Sequence, residues 1–200
     1  MRNETLNYYN QNADSFSEGT VNVDFSATQN RFLAYLVPGS KILDFGCGSG
    51  RDTKYFLNKG FAVDAVDGSQ ELCVLASEFT GITVKQMLFS ELDAASEYDG
   101  IWACSSILHC SKAELQDVLA RIERALKPKG ILYTSFKHGD FEGLRNGRYF
   151  TDFTKESFEK LLQGVEGLEL VEYWVSGDVR PGREEEKWLN LILKKTSSSK

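Results

Sequence analysis

Apolar residues along this chain come in short blocks whose spacing alternates between continuous runs and a helical period. Lys41 to Phe45 (K-I-L-D-F) is a continuous run entering a cluster of glycines, and Asp52 to Asn58 then carries Tyr55, Phe56 and Leu57 up to Gly60. This spacing predicts a strand, a glycine turn and a helix. Phe61 to Val66 and Gln70 to Phe79 repeat the strand and helix, Ile82 to Met87 gives a third strand and Tyr98 to Cys104 a fourth. Ser111 and Glu114 make a capping box, since the hydroxyl can accept from the Glu114 amide while the carboxylate reaches back. The helix it opens has Leu115, Val118, Leu119, Ile122 and Leu126 at helical spacing until Pro128 and Gly130 stop it. Ile131 to Phe136 is a fifth strand and Thr154 to Leu162 a further helix. Leu168 to Trp174 and Trp188 to Leu193 lie close enough to pair as a long-looped antiparallel hairpin, with Trp174 and Trp188 in its core.

Residues 1–37 have a different texture. The first 25 are polar with interleaved Tyr8, Tyr9, Phe16 and Phe25, too openly spaced for a core of their own, and Ser26 to Leu36 is predicted helical up to Pro38 and Gly39. This divides one domain into a helical cap (1–37), a core (38–195) and a disordered tail (196–200). Strand and helix alternation builds a mostly parallel sheet with helices on both faces, an α/β architecture. Ligands in such sheets bind beyond the carboxyl ends of the strands.

A chain of 200 residues, 42% hydrophobic and 26% charged, has an ordinary globular composition. Its formal charge of −6 argues against sequence-independent nucleic-acid binding, which rests on Lys and Arg neutralising phosphates. Cys47, Cys73, Cys104 and Cys110 form no C-x-x-C and no Cys/His ladder, so they read as free thiols with no metal implied. Without a run approaching the roughly 20 apolar residues of a membrane span, or an apolar leader after Met1, a cytoplasmic location is expected.

Asp44-Phe-Gly46-Cys-Gly48-Ser-Gly50 follows a strand and opens a helix, so its glycines can let a ligand approach the main chain. A dinucleotide fingerprint reads G-x-G-x-x-G, but here Arg51 stands at the third glycine's place, which argues against nicotinamide and flavin cofactors. Val66-Asp67-Gly68 puts a carboxylate at the end of the second strand, where it could accept from ribose hydroxyls.

With I-L-D-F-G-C-G-S-G, A-V-D-G-S, Y-D-G-I-W-A-C-S-S-I-L-H and L-K-P-K-G-I-L-Y, the chain resembles the class I S-adenosylmethionine-dependent methyltransferases. Its start, Y-Y-N-Q-N-A-D-S-F, resembles the cap of small members related to tellurite-resistance and quinone methyltransferases. The resemblance implies a Rossmann-like fold, with S-adenosylmethionine approached by Gly46, Gly48 and Gly50. It implies ribose binding by Asp67 beside Gly68, and a turn ordered by Asp44. It also implies Leu88 and Phe89 flanking the adenine and Ala103 and Cys104 beside the sulfonium. Many relatives have an acidic residue near Leu88; here Ser90 or Glu91 would have to substitute.

The sulfonium methyl is already activated, so alignment and exclusion of water are the main tasks. His109 is the candidate base, its ordinary pKa of ~6.5 suiting proton removal, or else a histidine packed at a helix start; His138 is a loop residue. Lys137, Arg145, Arg148 and Tyr149, in a segment predicted as loop, would face an acidic or phosphate-bearing small molecule. Arg180 and Arg183 add to this basic patch, and Arg51 could serve the cofactor carboxylate. Tyr8, Tyr9, Phe16 and Phe25 form either a mobile lid or a docked cap. A tRNA or other nucleic-acid acceptor, and a protein that holds the cofactor without turnover, stay open as alternatives.

Overall fold

The computed structural model describes residues 3–183 and 185–196. Its seven-stranded sheet contains β1 (Lys41–Phe45), β2 (Ala62–Asp67), β3 (Lys85–Gln86), β4 (Tyr98–Ala103), β5 (Leu126–Lys137), β8 (Leu168–Gly177) and β9 (Lys187–Lys195). The order is β3-β2-β1-β4-β5-β9-β8. The first five strands are parallel, and β9 runs antiparallel between β5 and β8, giving the expected C-terminal hairpin. Chain direction from β1 goes to β2 on one side and to β4 on the other, so the order reverses at the β1–β4 seam.

Helices α4 (Arg51–Asn58), α5 (Gln70–Thr80), α6 (Lys112–Ala125) and α7 (Lys155–Leu162) join the strands. The Ser111 hydroxyl accepts from the Glu114 amide at 3.3 Å, and the Glu114 carboxylate accepts from the Ser111 amide at 2.7 Å, the reciprocal cap expected of that motif. On one face of the sheet Phe32, Phe56, Trp102 and Tyr133 are fully buried, with the Trp102 and Tyr133 rings stacked 4.0 Å apart. Burial of each such phenylalanine contributes about 1.5–3 kcal/mol. The opposite face is covered mainly by α6 and α7 through Leu115, Leu119, Ile122 and Phe158.

Several local features differ from the sequence expectations. The third strand shrinks to two residues, because the Ser77 hydroxyl takes the Val84 amide and Val84 packs into a side cluster instead of extending the ladder. Helix α3 (Ser26–Leu33) stops short of Leu36, where Tyr35 and Leu36 donate to Phe32 and Leu33 in tight turns. The segment read as a loop holds a second sheet, β6 (Glu142–Arg145) and β7 (Arg148–Thr151). Asn146 and Gly147 turn it, with φ of 51° and 75°, the pairing that a two-residue hairpin turn prefers. The cap folds as α1 (Asn3–Gln11) and α2 (Ala13–Glu18) and packs on α5. Residues 197–200, part of the predicted tail, lie outside the described residues. Among the described residues no helix is long and apolar enough to cross a membrane.

Candidate active site

A cavity of about 460 Å³ opens beyond the carboxyl ends of β1, β2, β4 and β5, within the roughly 300–1,000 Å³ of small-molecule sites. The three turn glycines meet it differently. A Cβ on Gly46 would lie 2.4 Å from Ser106 Cβ, and one on Gly50 would lie 2.7 Å from Thr80 on α5, so these two positions are small for packing. Gly48 has φ +55° and would meet only the Phe16 ring, at 3.0 Å. Gly46 and Gly48 line the cavity, whereas Gly50 caps α4 beneath it.

Asp44 is buried under the turn and accepts from the Thr53 hydroxyl at 2.5 Å. Burial, reinforced by the nearby Asp52 carboxylate, pushes its pKa up to about 8. It orders the turn from below and does not line the cavity. Asp67 does: its two oxygens accept from the Gly48 and Ser69 amides, both at 2.9 Å. Burial raises its pKa against the pull of those amides. Each oxygen keeps a lone pair for a further donor, and Gly68 lies alongside.

Phe89 lines the cavity, braced by Phe45 at 4.9 Å between ring centres. Leu88 sits outside it and donates its amide to the Glu91 carboxylate at 2.7 Å; neither Ser90 nor Glu91 lines the cavity. Ala103 is buried beneath the floor and Cys104 faces it. Ser105, Ser106 and Ser135 join the lining without a sequence signal to single them out; Ser105 is held at φ +51° with its amide on the Ser135 hydroxyl. Arg51 lines the cavity with its fork on Asp52 at 2.8 and 3.0 Å. Asp52 also accepts from Gln29 and Trp102, a buried hub the sequence did not reveal.

His109 is 3% exposed. Its Nδ1 lies 2.6 Å from the Tyr149 carbonyl, which can only accept, so that nitrogen carries the hydrogen. Nε2 therefore accepts from the Tyr9 hydroxyl at 2.9 Å. Burial pushes the imidazole down to about 4, correcting the expected base of ordinary pKa. The folded state thus binds fewer protons than the unfolded chain between pH 6.5 and 4, and stability falls on acidification through that window by on the order of 3 kcal/mol. Melting wild type and His109→Gln across the window checks this. The variant should have a flatter slope, and equal slopes would refute the assignment.

The cations of the hairpin region diverge. Lys137 pairs with Glu186, and Arg145 with Asp152 at 2.8 Å. Arg148 stacks its guanidinium 4.5 Å from the Tyr8 ring and meets the Tyr9 hydroxyl at 3.4 Å. The Tyr149 side chain leaves the cavity to bond Glu142 at 3.1 Å, so only its backbone serves the site. His138 is likewise off the cavity, in a backbone bridge to Phe153. Trp188, expected in the hairpin core, lines the cavity and donates to Asp178 at 3.1 Å, beside Arg180 and Arg183.

Tyr9, Phe16 and Phe25 line the cavity from the cap, while Tyr8 lies behind Arg148. Polar ties hold the cap in place: Thr5 to the Tyr149 amide at 3.0 Å, Asn10 to Ser69 at 2.6 Å and Thr20 to Ser49 at 3.0 Å.

Fold and site together define a Rossmann-like domain whose cavity lies between a glycine turn and a carboxylate. Residues 42–130 match the family model of a methyltransferase domain. The resemblance to class I S-adenosylmethionine-dependent methyltransferases read from the sequence is matched by this family model over that segment. Among solved structures it is similar to the 1,6-didemethyltoxoflavin-N1-methyltransferase of Burkholderia thailandensis, with bound 1,6-didemethyltoxoflavin and S-adenosylhomocysteine. Identity is 26%, TM-score 0.76, and coverage 96% of this chain and 85% of that one. A TehB-like enzyme of Corynebacterium glutamicum shares the fold at 22% identity and TM-score 0.68, covering 96% and 98% of the two chains. Over 141 residues the chain is 24% identical to the malonyl-[acyl-carrier protein] O-methyltransferase of Enterobacter lignolyticus, covering 64% of this chain and 55% of that protein. Over 96 residues it is 31% identical to a methyltransferase of Synechocystis, 47% and 45% of the two chains. The matches thus span about half the length of these curated relatives.

Proposed function

We propose that this chain carries the methyl group of S-adenosylmethionine to a small-molecule acceptor bearing an acidic or phosphate group. The carrying observation is one cavity that joins Gly48 and Asp67 to Tyr9, His109 and Arg148. The residues present fit the cofactor: Gly48 leaves space that a side chain would fill, and Asp67 keeps acceptor capacity for a pair of hydroxyls. The Burkholderia structure, with a small molecule and the demethylated cofactor bound together, supports a small-molecule acceptor.

When bound, the cofactor supplies an electrophilic methyl on a sulfonium. The chain's part is to hold, align and keep dry. Phe89 offers an apolar face to one part of the ligand and Tyr9 and Phe16 offer aromatic faces from the cap, where a cationic sulfur gains about 0.5–2 kcal/mol. His109, held neutral, fixes the Tyr9 hydroxyl in place. So weak a base suits an acceptor that arrives with its attacking lone pair already unprotonated.

Labelled S-adenosylmethionine, incubated with the protein and a cell extract split into small-molecule, RNA and protein fractions, tests the reading. Label is expected in the small molecules; label in RNA would replace it with nucleic-acid methylation. The cap is proposed to close as a lid over the ligand. Hydrogen exchange in residues 5–25 is expected to slow on adding S-adenosylhomocysteine, and identical exchange with and without it would leave the cap a purely structural cover.

A further inference from the structure

Six cationic side chains border the cavity among the described residues: Arg51, Lys137, Arg145, Arg148, Arg180 and Arg183. Four are internally neutralised. Arg51 is forked onto Asp52, Lys137 is paired with Glu186, Arg145 with Asp152 and Arg180 with Asp178. Arg183 lies at the mouth, 44% exposed, with Glu186 at 3.6 Å. Arg148 differs from all of them, since no carboxylate of the described residues stands within ion-pair distance of it.

Its surroundings hold the guanidinium in place without neutralising it. Tyr8 lies 4.5 Å and Phe150 5.1 Å from the guanidinium carbon, and Nη1 is 3.4 Å from the Tyr9 hydroxyl. Nε is buried with no hydrogen-bond partner. A guanidinium keeps its charge in any such setting. Buried donors without acceptors are costly, and the cost is relieved when a ligand brings acceptor oxygens in a planar pair. Tyr9 links this position to His109 on one side, and its ring meets Phe16 over the glycine turn on the other. An anion on Arg148 would therefore sit next to the seat proposed for the cofactor.

We infer that Arg148 is the specificity-determining seat for one anionic group of the acceptor, a carboxylate or a phosphate monoester. This inference rests on the methyltransferase reading above and narrows it. Lys137 at the end of β5 and Arg145 on β6 are committed to Glu186 and Asp152. The acceptor is thus selected by one anchored charge, with the rest of the molecule lying against Phe150 and Trp188.

Calorimetric titration of the S-adenosylhomocysteine-saturated protein with benzoate, phenyl phosphate and neutral benzamide tests the seat. Wild type is expected to bind one or both anions and not benzamide, and the stronger anion tells carboxylate from phosphate. Arg148→Gln should weaken anion binding by about tenfold to a hundredfold and leave S-adenosylhomocysteine affinity unchanged, which also shows that the variant is folded. Arg148→Lys, with charge but no fork, should fall between. Equal anion binding by wild type and Arg148→Gln, or no anion binding by wild type, overturns the seat. A parallel loss of S-adenosylhomocysteine affinity in Arg148→Gln assigns the residue to the cofactor's own carboxylate instead. Failure of wild type to bind S-adenosylhomocysteine at all removes the methyltransferase reading, a result distinct from the others.

Discussion

Gly48→Val is expected to abolish measurable binding of S-adenosylhomocysteine in a protein that still melts cooperatively. At φ +55° a branched side chain costs on the order of 1–3 kcal/mol of backbone strain, which a domain stable by roughly 5–15 kcal/mol survives. The new Cβ meets only the Phe16 ring at 3.0 Å, the edge of a side chain on the cap, so the core is spared. Its methyls then project into the space over the turn where a ligand must lie against the main chain. Thermal melting with and without ligand reads both halves: at a hundredfold excess over Kd a bound ligand adds about 2.7 kcal/mol, and the variant should gain none. Gly46→Val is the contrast, because its Cβ would fall 2.4 Å from Ser106 Cβ and should damage the fold itself. A folded Gly48→Val protein still stabilised by the ligand would move the cofactor site elsewhere.

Asp67→Ala is expected to weaken S-adenosylhomocysteine by about 1.5–3 kcal/mol, or roughly tenfold to a hundredfold and more. The carboxylate serves two partners in the free protein, the amides of Gly48 and Ser69, and its remaining lone pairs are the acceptors proposed for ribose hydroxyls. Removing it strands both amides and leaves the hydroxyls without a charged acceptor. Asp67→Asn should lose less, since one carbonyl oxygen persists. Calorimetric titration measures each, and an unchanged dissociation constant in a folded Asp67→Ala protein would end the ribose assignment.

How legible these parts are from the chain alone follows from the range of the interactions that make them. Strand, glycine turn, helix and the carboxylate after the second strand are local, so K-I-L-D-F, the glycines and Val66-Asp67 placed them without any contact map. The Arg145-Asn146-Gly147-Arg148 hairpin is also local, and its Asn-Gly pair was the available signal. Once it is taken as two strands, the two-residue period puts Arg148 and Phe150 on one side and Tyr149 on the other. That is why Tyr149 leaves the cavity. Charge pairing is another matter: Lys137 to Glu186 depends on tertiary packing, and so do the Gln29 and Trp102 donors that fix Asp52, although its partner Arg51 is the preceding residue. The low basicity of His109 arises from burial beneath Tyr9 and Phe150, which no spacing in the sequence encodes.

The positions of the three tryptophans give the protein its own optical sensor. Trp102 is sealed behind the glycine turn, stacked on Tyr133 and bonded to Asp52, and Trp174 is covered by the Arg31 guanidinium at 3.9 Å. Trp188 alone of the three borders the cavity, with the Lys137 ammonium 5.0 Å from its ring. Filling the space beside the hairpin changes the polarity around Trp188 and leaves the emission of Trp102 and Trp174 as a constant background. Candidate acceptors can therefore be screened by intrinsic fluorescence on unlabelled protein, with S-adenosylhomocysteine in place and no chemistry required.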